Sequence, residues 1–163
     1  MNTNSTNLLV RSCKESDLDE IKLITAEAFN GVSIDQIIER SFGEVNGENW
    51  QARKLRDIHK DVLTNLDGVF VCEIQNTLIG YVTTNIDVTS RIGRINNIAI
   101  ASGFRGKGYG RQLINHAIDF LKNAGMAYVR IETLETNEIG YSLYTAMGFK
   151  ELVRQVHFIK PLE

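Results

Sequence analysis

Arg105-Gly106-Lys107-Gly108-Tyr109-Gly110 joins an apolar run, Ile95 to Ile100 (INNIAI), to a segment in which Leu113, Ile114, Ala117, Ile118 and Leu121 recur at i, i+1, i+4, i+5 and i+8. That order reads as strand, tight turn and half-buried amphipathic helix. The glycines at 106, 108 and 110 let the backbone take conformations closed to other residues and let a ligand approach the main chain closely. Unpaired N–H groups at the start of the helix, the positive end of its dipole, and the cations of Arg105, Lys107 and Arg111 converge there. Such a place suits a phosphate or pyrophosphate.

Spacing separates the phosphate-binding loops from one another. A Walker loop needs glycine five residues before Gly106 and Ser or Thr after the lysine, but the chain has Ala101 and Gly108. The dinucleotide pattern Gly-x-Gly-x-x-Gly fails too, since the spacing is Gly-x-Gly-x-Gly and the loop follows about a hundred residues of other structure. Gln/Arg-x-x-Gly-x-Gly/Ala does fit, through Arg105, Gly108 and Gly110. In this loop the chain resembles the GNAT superfamily of acyltransferases, whose members bind acetyl-CoA there.

Composition bounds the rest. The chain has 163 residues, 43% of them hydrophobic, enough for a substantial core in a single domain over 1–163. Net charge is −2, so no global basic field favours nucleic acid, and the cationic loop is local. The first residues, MNTNSTN, lack a basic start and an apolar core, and no apolar run reaches membrane-spanning length; the expectation is a soluble, cytoplasmic protein. Cys13 and Cys72 sit in strand-like apolar settings and read as buried structural thiols. His59, His116 and His157 are isolated, so no metal site is expected.

In chain order, Leu8 to Cys13 reads as extended, and Ser16 with Asp19 as a cap for a helix buried through Leu18, Ile21, Ile24 and Ala28. Gly31 ends it, Ser33 with Gln36 opens a short helix to about Ser41, and GEVNGEN is a loop. Asn49 caps a helix carrying Trp50, Ile58, Val62 and Leu66, with most of the charge of QARKLRDIHKD outward. From Val69 the period becomes two, and VFVCEI and LIGYVTTNI form a hairpin around Gln75, Asn76 and Thr77. The strand INNIAI, the helix to about Ala124 and the strand AYVRIETL make a parallel β-α-β unit. A helix from about Asn137 to Met147, closed by Gly148, precedes FKELV and VHFIK, read as a last antiparallel pair.

A second motif strengthens the resemblance. Asn-x-x-small-x-x-x-Tyr-x-x-x-Gly-Phe is filled by Asn137, Gly140, Tyr144, Gly148 and Phe149. The element order also resembles the GNAT fold along nearly the whole chain. The implied class is α/β (α+β): a mixed central sheet of about six to seven strands flanked by helices, splayed at the parallel pair 94–101 and 126–134.

The resemblance implies an N-acetyltransferase passing an acetyl group directly from acetyl-CoA to a primary amine. Cofactor contacts carry over to Ile98, Ala99 and Ile100, to Arg105, Gly106, Lys107, Gly108, Tyr109, Gly110 and Arg111, and to Asn137 and Tyr144. Asn137 can cap its helix and offer an amide to the pantetheine arm, Gly140 leaves room for the cofactor, and a main-chain N–H of the strand Asn97 to Ala101 polarises the thioester. Tyr144, two helical turns from Asn137, is the implied general acid for the departing thiolate. Glu132 is the candidate base, with a water relay to Glu132 or Glu73 as the alternative. Many members carry a glutamate on the preceding strand, where this chain has Asn96 and Asn97.

The acceptor stays open between a small-molecule amine and a protein amine, with Phe29, Phe42 and Trp50 and the stretch Arg154 to His157 as candidate lining. A homodimer is compatible with an exposed edge among the final strands. Two other readings keep the loop but not the transfer: a non-catalytic CoA-binding regulatory module, and a nucleotide-binding module, which Asn137 and Tyr144 disfavour.

Overall fold

The computed structural model describes residues 8–162. The MNTNSTN stretch lies outside them. Two-residue alternation produces β2 (Val69–Ile74) and β3 (Thr77–Asn85), which pair down to Ile74 opposite Thr77. Gln75 and Asn76 between them both take positive φ, 50° and 63°, the backbone of a tight hairpin turn whose twist matches the strands. On either side lie β1 (Leu9–Ser12) and β4 (Ile92–Ile100), and β5 (Tyr128–Ile131) completes the order β1-β2-β3-β4-β5. Every neighbouring pair is antiparallel except β4 and β5, which are parallel as the intervening helix requires.

Helices cover both faces. Ile21 and Ile24 of α1 (Leu18–Ala28) and Ile58 and Val62 of α3 (Trp50–Thr64) pack on Val69, Val71, Tyr81 and Ala99. On the opposite face Leu113, Ile114, Ala117 and Leu121 of α4 (Tyr109–Asn123) meet Phe70, Cys72, Val82 and Ile95. Each fully buried Leu or Ile among them contributes about 1.5–3 kcal/mol. The short α2 (Ile34–Phe42) lies between α1 and α3 in sequence, and α5 (Glu138–Ala146) follows β5. Both cysteines are buried, and burial raises their thiols, Cys13 to about 11 and Cys72 to about 12, as suits inert core groups.

Gly80 shows how closely β3 and β4 are fitted. A methyl there would come within 2.7 Å of the Ala99 carbonyl oxygen and 2.5 Å of Ile100 Cδ1, and the first of these is main chain that cannot swing aside. Gly80→Ala is therefore expected to destabilise the protein by about 1–3 kcal/mol in denaturant unfolding; an unchanged midpoint would show that the strands separate freely.

The sheet has five strands among the described residues, against the six to seven expected. FKELV and VHFIK are irregular, and Leu152 and Phe158 are 87% and 93% exposed. Alternation records only a local preference, and a strand needs a neighbour to take its N–H and C=O groups. No final pair forms among the described residues, so these stretches present no strand edge for the homodimer that the sequence left possible. The first helix also begins differently. Asp17, not Ser16, anchors its start, accepting from the Lys14 N–H at 2.8 Å and from Arg11 at 2.7 and 2.9 Å. Ser33 stands at the N-cap of α2, yet its hydroxyl has no partner, while Asn49 caps α3 as expected, accepting from the Ala52 N–H at 2.9 Å.

Candidate active site

The site begins with one extra residue. Thr83 pairs with Asn97 and Thr84 with Ile95, so Asn96 is a bulge in β4. A bulge bends its strand and resets which face each later side chain takes. Ile95 joins the core under α4, whereas Ala99 joins the core under α1 and α3 and Asn97 turns toward α3. Pairing with β5 ends at the same place, Ile95 opposite Ile131. From Asn96 to Ile100, β4 keeps β3 on one side and has no strand on the other among the described residues. This is the expected splay, and the bulge is its cause. The side chains of Ile98 and Ile100 pack into the α4-side core, so what this stretch exposes beyond the bulge is main chain.

The glycine loop follows directly. After a single turn of 3-10 helix, Ser102–Phe104, the chain passes through Gly106 (φ 74°) and Gly108 (φ 83°), and Gly108 is the N-cap of α4. A Cβ at either glycine would meet nothing within 4 Å, so positive φ, not crowding, demands glycine there. Because Gly108 has no side chain to cap the helix, the first N–H groups of α4 are left for another partner. Gly110 is helical, and a Cβ there would make ordinary contact with Leu143 at 3.5 Å.

The three cations have structural tasks as well. Arg105 Nε donates to the Ile100 carbonyl at 2.9 Å, bracing the loop against the end of β4. Lys107 Nζ reaches the Gly103 carbonyl at 3.3 Å and lies 5.4 Å from the Phe104 ring centroid. Arg111 Nη1 approaches the Ala146 carbonyl at 3.5 Å, tying α4 to the end of α5. All three side chains are exposed, and Tyr109 is half-buried in the core behind them.

On α5, Asn137 is the N-cap. Its Oδ1 accepts from the Gly140 N–H at 3.1 Å and its Nδ2 donates to Thr133 Oγ1 at 2.9 Å, so both ends of the amide are engaged. Gly140 owes its smallness to this cap: a Cβ would fall 2.6 Å from Asn137 Nδ2. Tyr144 is half-buried beside Phe149, rings edge to face at 6.1 Å, and burial raises its phenol to about 12. It is protonated throughout the neutral range.

Glu132 lies just past β5, half exposed, between Arg94 (2.6 Å) and Arg130. Partial burial pushes its carboxyl up, but the hydrogen bonds and charges of the two arginines outweigh that and leave it below the usual glutamate value. Glu73 is held by Arg11. Of the aromatics read as acceptor lining, Trp50 is buried, Phe42 is exposed, and Phe29 faces a charged group. The stretch Arg154 to His157 is exposed and irregular, with Arg154 paired to Glu151 and Glu135.

That charged group is Lys54, which turns inward although most of the charge of QARKLRDIHKD is expected outward. Lys54 and Asp61, two turns apart on α3, both reach Asn97: Lys54 Nζ donates to Asn97 Oδ1 at 3.0 Å, and Asn97 Nδ2 donates to Asp61 Oδ2 at 2.9 Å. Burial lowers the Lys54 ammonium and raises the Asp61 carboxyl, each partly opposed by the other's charge. The available signal was spacing, since residues 54 and 61 share the face of Trp50 and Ile58.

Residues 31–149 match the model of the acetyltransferase (GNAT) family, and the chain belongs to that family. It is 33% identical over 90 residues to an uncharacterized N-acetyltransferase of Methanocaldococcus jannaschii, covering 52% of this chain and 40% of that protein. It is 36% identical over 55 residues to the ribosomal protein bS18-alanine N-acetyltransferase of Escherichia coli K12, covering 34% and 37%. The matches thus span about two fifths of these relatives' length. Among solved structures, the PaiA N-acetyltransferase of Thermoplasma acidophilum in complex with coenzyme A is similar in fold, with TM-score 0.72, 18% identity, and 88% and 90% of the two chains covered. No helix among the described residues is long and apolar enough to cross a membrane.

Proposed function

We propose that residues 1–163 form one acetyltransferase domain that transfers an acetyl group from acetyl-CoA directly to a primary amine. The observation that carries this reading is the bulge at Asn96, which leaves one side of β4 without a strand partner next to the uncapped start of α4. Acetyl-CoA supplies an activated acyl group as a thioester together with a pyrophosphate. The residues present suit both parts. Gly106 and Gly108 give the loop its left-handed turns in open space, α4 offers unpaired N–H groups, and Arg105, Lys107 and Arg111 bring positive charge.

The chain's own groups then divide the chemistry. Main-chain N–H groups of β4 beyond the bulge polarise a carbonyl as a fixed donor that needs no reorganisation. Tyr144, held protonated, donates to the departing sulfur. Glu132 remains the carboxylate proposed to take up the amine's proton through water. Its two arginines keep it ionised and make it a weak base, which suits relay better than direct abstraction. Asn137 and Gly140 fix the start of α5 and with it the position of Tyr144.

The acceptor class is tested by following release of CoA thiol with panels of small polyamines, aminoglycosides and peptides with free N-termini. Release that depends on at least one amine class, with one acetyl gained per thiol, is the expected result. Thiol release that continues beyond one equivalent per chain without added amine would make the protein a thioesterase, and none with any amine would leave CoA binding without transfer.

A further inference from the structure

Lys54 is a half-buried nucleophile that the chemistry above leaves unused. Its amine donates to Asn97 Oδ1 at 3.0 Å and lies 4.3 Å from the centroid of the Phe29 ring. Asn97 is the first residue past the bulge, so the amine stands within one side chain's reach of the β4 main chain that has parted from β5. It approaches from the α1 and α3 face, opposite the face covered by α4. An amine attacking a thioester held along β4 would arrive from that side.

The surroundings of Lys54 act on its proton in opposite senses, burial loosening it and the facing carboxylates holding it. Asp35 of α2 and Asp57 and Asp61 of α3 are the charges that face it, and Asp61 is fixed by Asn97 Nδ2, which also donates to Thr83 Oγ1 at 3.2 Å. Burial weakens the hold of the lysine on its proton and strengthens that of Asp61 on one.

We propose that Lys54 is an acetyl acceptor, modified within its own chain by acetyl-CoA bound at the opening between β4 and β5. The proposal rests on the function proposed above. The Lys54 ammonium gives a proton to Asp61 or solvent, and the Nζ lone pair forms a bond to the thioester carbonyl carbon. The carbon–sulfur bond breaks, the thiolate leaves hydrogen-bonded to the Tyr144 hydroxyl and takes a proton from solvent to become CoA thiol, and the nitrogen sheds its second proton to become an amide. The net change is one ammonium and one thioester converted to one amide, one thiol and one released proton. The amide carries no charge, so the contact of a cation with Phe29 ends and Asp35, Asp57 and Asp61 face the acceptor side without it.

The test is incubation of the purified protein with acetyl-CoA at neutral pH, with acetylated lysines mapped by peptide mass spectrometry over time. Acetyl-CoA-dependent change in Tm is recorded on the same sample. Lys54 is expected to be acetylated about a hundredfold faster than the exposed Lys60 and Lys122, as proximity to a bound donor provides. Excess free CoA should suppress modification at Lys54 and leave the exposed lysines unaffected. Lys54→Arg should remove the fast event, and the wild-type map stands independently if that variant fails to fold. Lys54 modified no faster than Lys60, in a protein whose Tm acetyl-CoA raises, would overturn this inference alone. Absence of any Tm change and of fast modification would overturn it together with the function.

Discussion

Tyr144→Phe is expected to lower kcat by about two to four orders of magnitude and to leave acetyl-CoA affinity and Tm unchanged. The structure gives the reason for both halves. The Tyr144 ring packs edge-on against Phe149 and within the α4-side core, contacts that phenylalanine retains. No hydrogen bond among the described residues engages its hydroxyl, and burial alone raises it to about 12. A free thiol ionises near about 8.5, so a phenol near 12 does not surrender its proton outright to the thiolate. It stabilises the developing negative charge by a hydrogen bond, and solvent completes the transfer. Ionisation of Tyr144 therefore leaves no mark on rate below its ordinary value near about 10. A variant losing kcat and acetyl-CoA affinity equally would assign Tyr144 to binding.

Gly108→Asp addresses the other end of the site. Aspartate tolerates a left-handed backbone better than most residues, and the space around a Cβ at 108 is open, so the loss of stability is about 1–2 kcal/mol. The new carboxylate stands at the N-cap of α4, where the pyrophosphate is proposed to sit. Two like charges roughly 4 Å apart near a protein surface repel by about 4 kcal/mol, up to about a thousandfold in Kd. Titration calorimetry is expected to show this loss for acetyl-CoA, reduced by salt. Affinity unchanged in a folded Gly108→Asp protein would place the pyrophosphate elsewhere.

What could be read from the sequence was whatever needs a particular residue at a fixed spacing. Gly106 and Gly108 announce positive φ, Asn49 and Asn137 announce helix starts, and the hairpin at Gln75 and Asn76 follows from a break in alternation. The splay itself was expected, but its cause was hidden, because a bulge leaves no compositional trace. INNIAI sorts cleanly only when Asn96 is skipped, placing Ile95, Ile98 and Ile100 on one face and Asn97 and Ala99 on the other. Lys54 and Asp61 were illegible for a different reason. A charged residue on an amphipathic helix reads as outward unless its partner is known, and Asn97 is remote in sequence. The crowding of Gly140 by the Asn137 cap was likewise hidden, since it depends on where the Asn137 amide turns. The final pair was overread, since apolar alternation in FKELV and VHFIK met no neighbouring strand.

Thermal unfolding with and without saturating acetyl-CoA, with ATP and NAD as controls, bears most directly on whether the bulge and the glycine loop form one acetyl-CoA site. A ligand at about a hundred times its Kd stabilises the folded state by about 2.7 kcal/mol, which for a chain of 163 residues raises Tm by about 5–10 °C. The expected result is a rise of that size with acetyl-CoA and none with ATP or NAD. No rise with acetyl-CoA, or an equal rise with ATP, would contradict it.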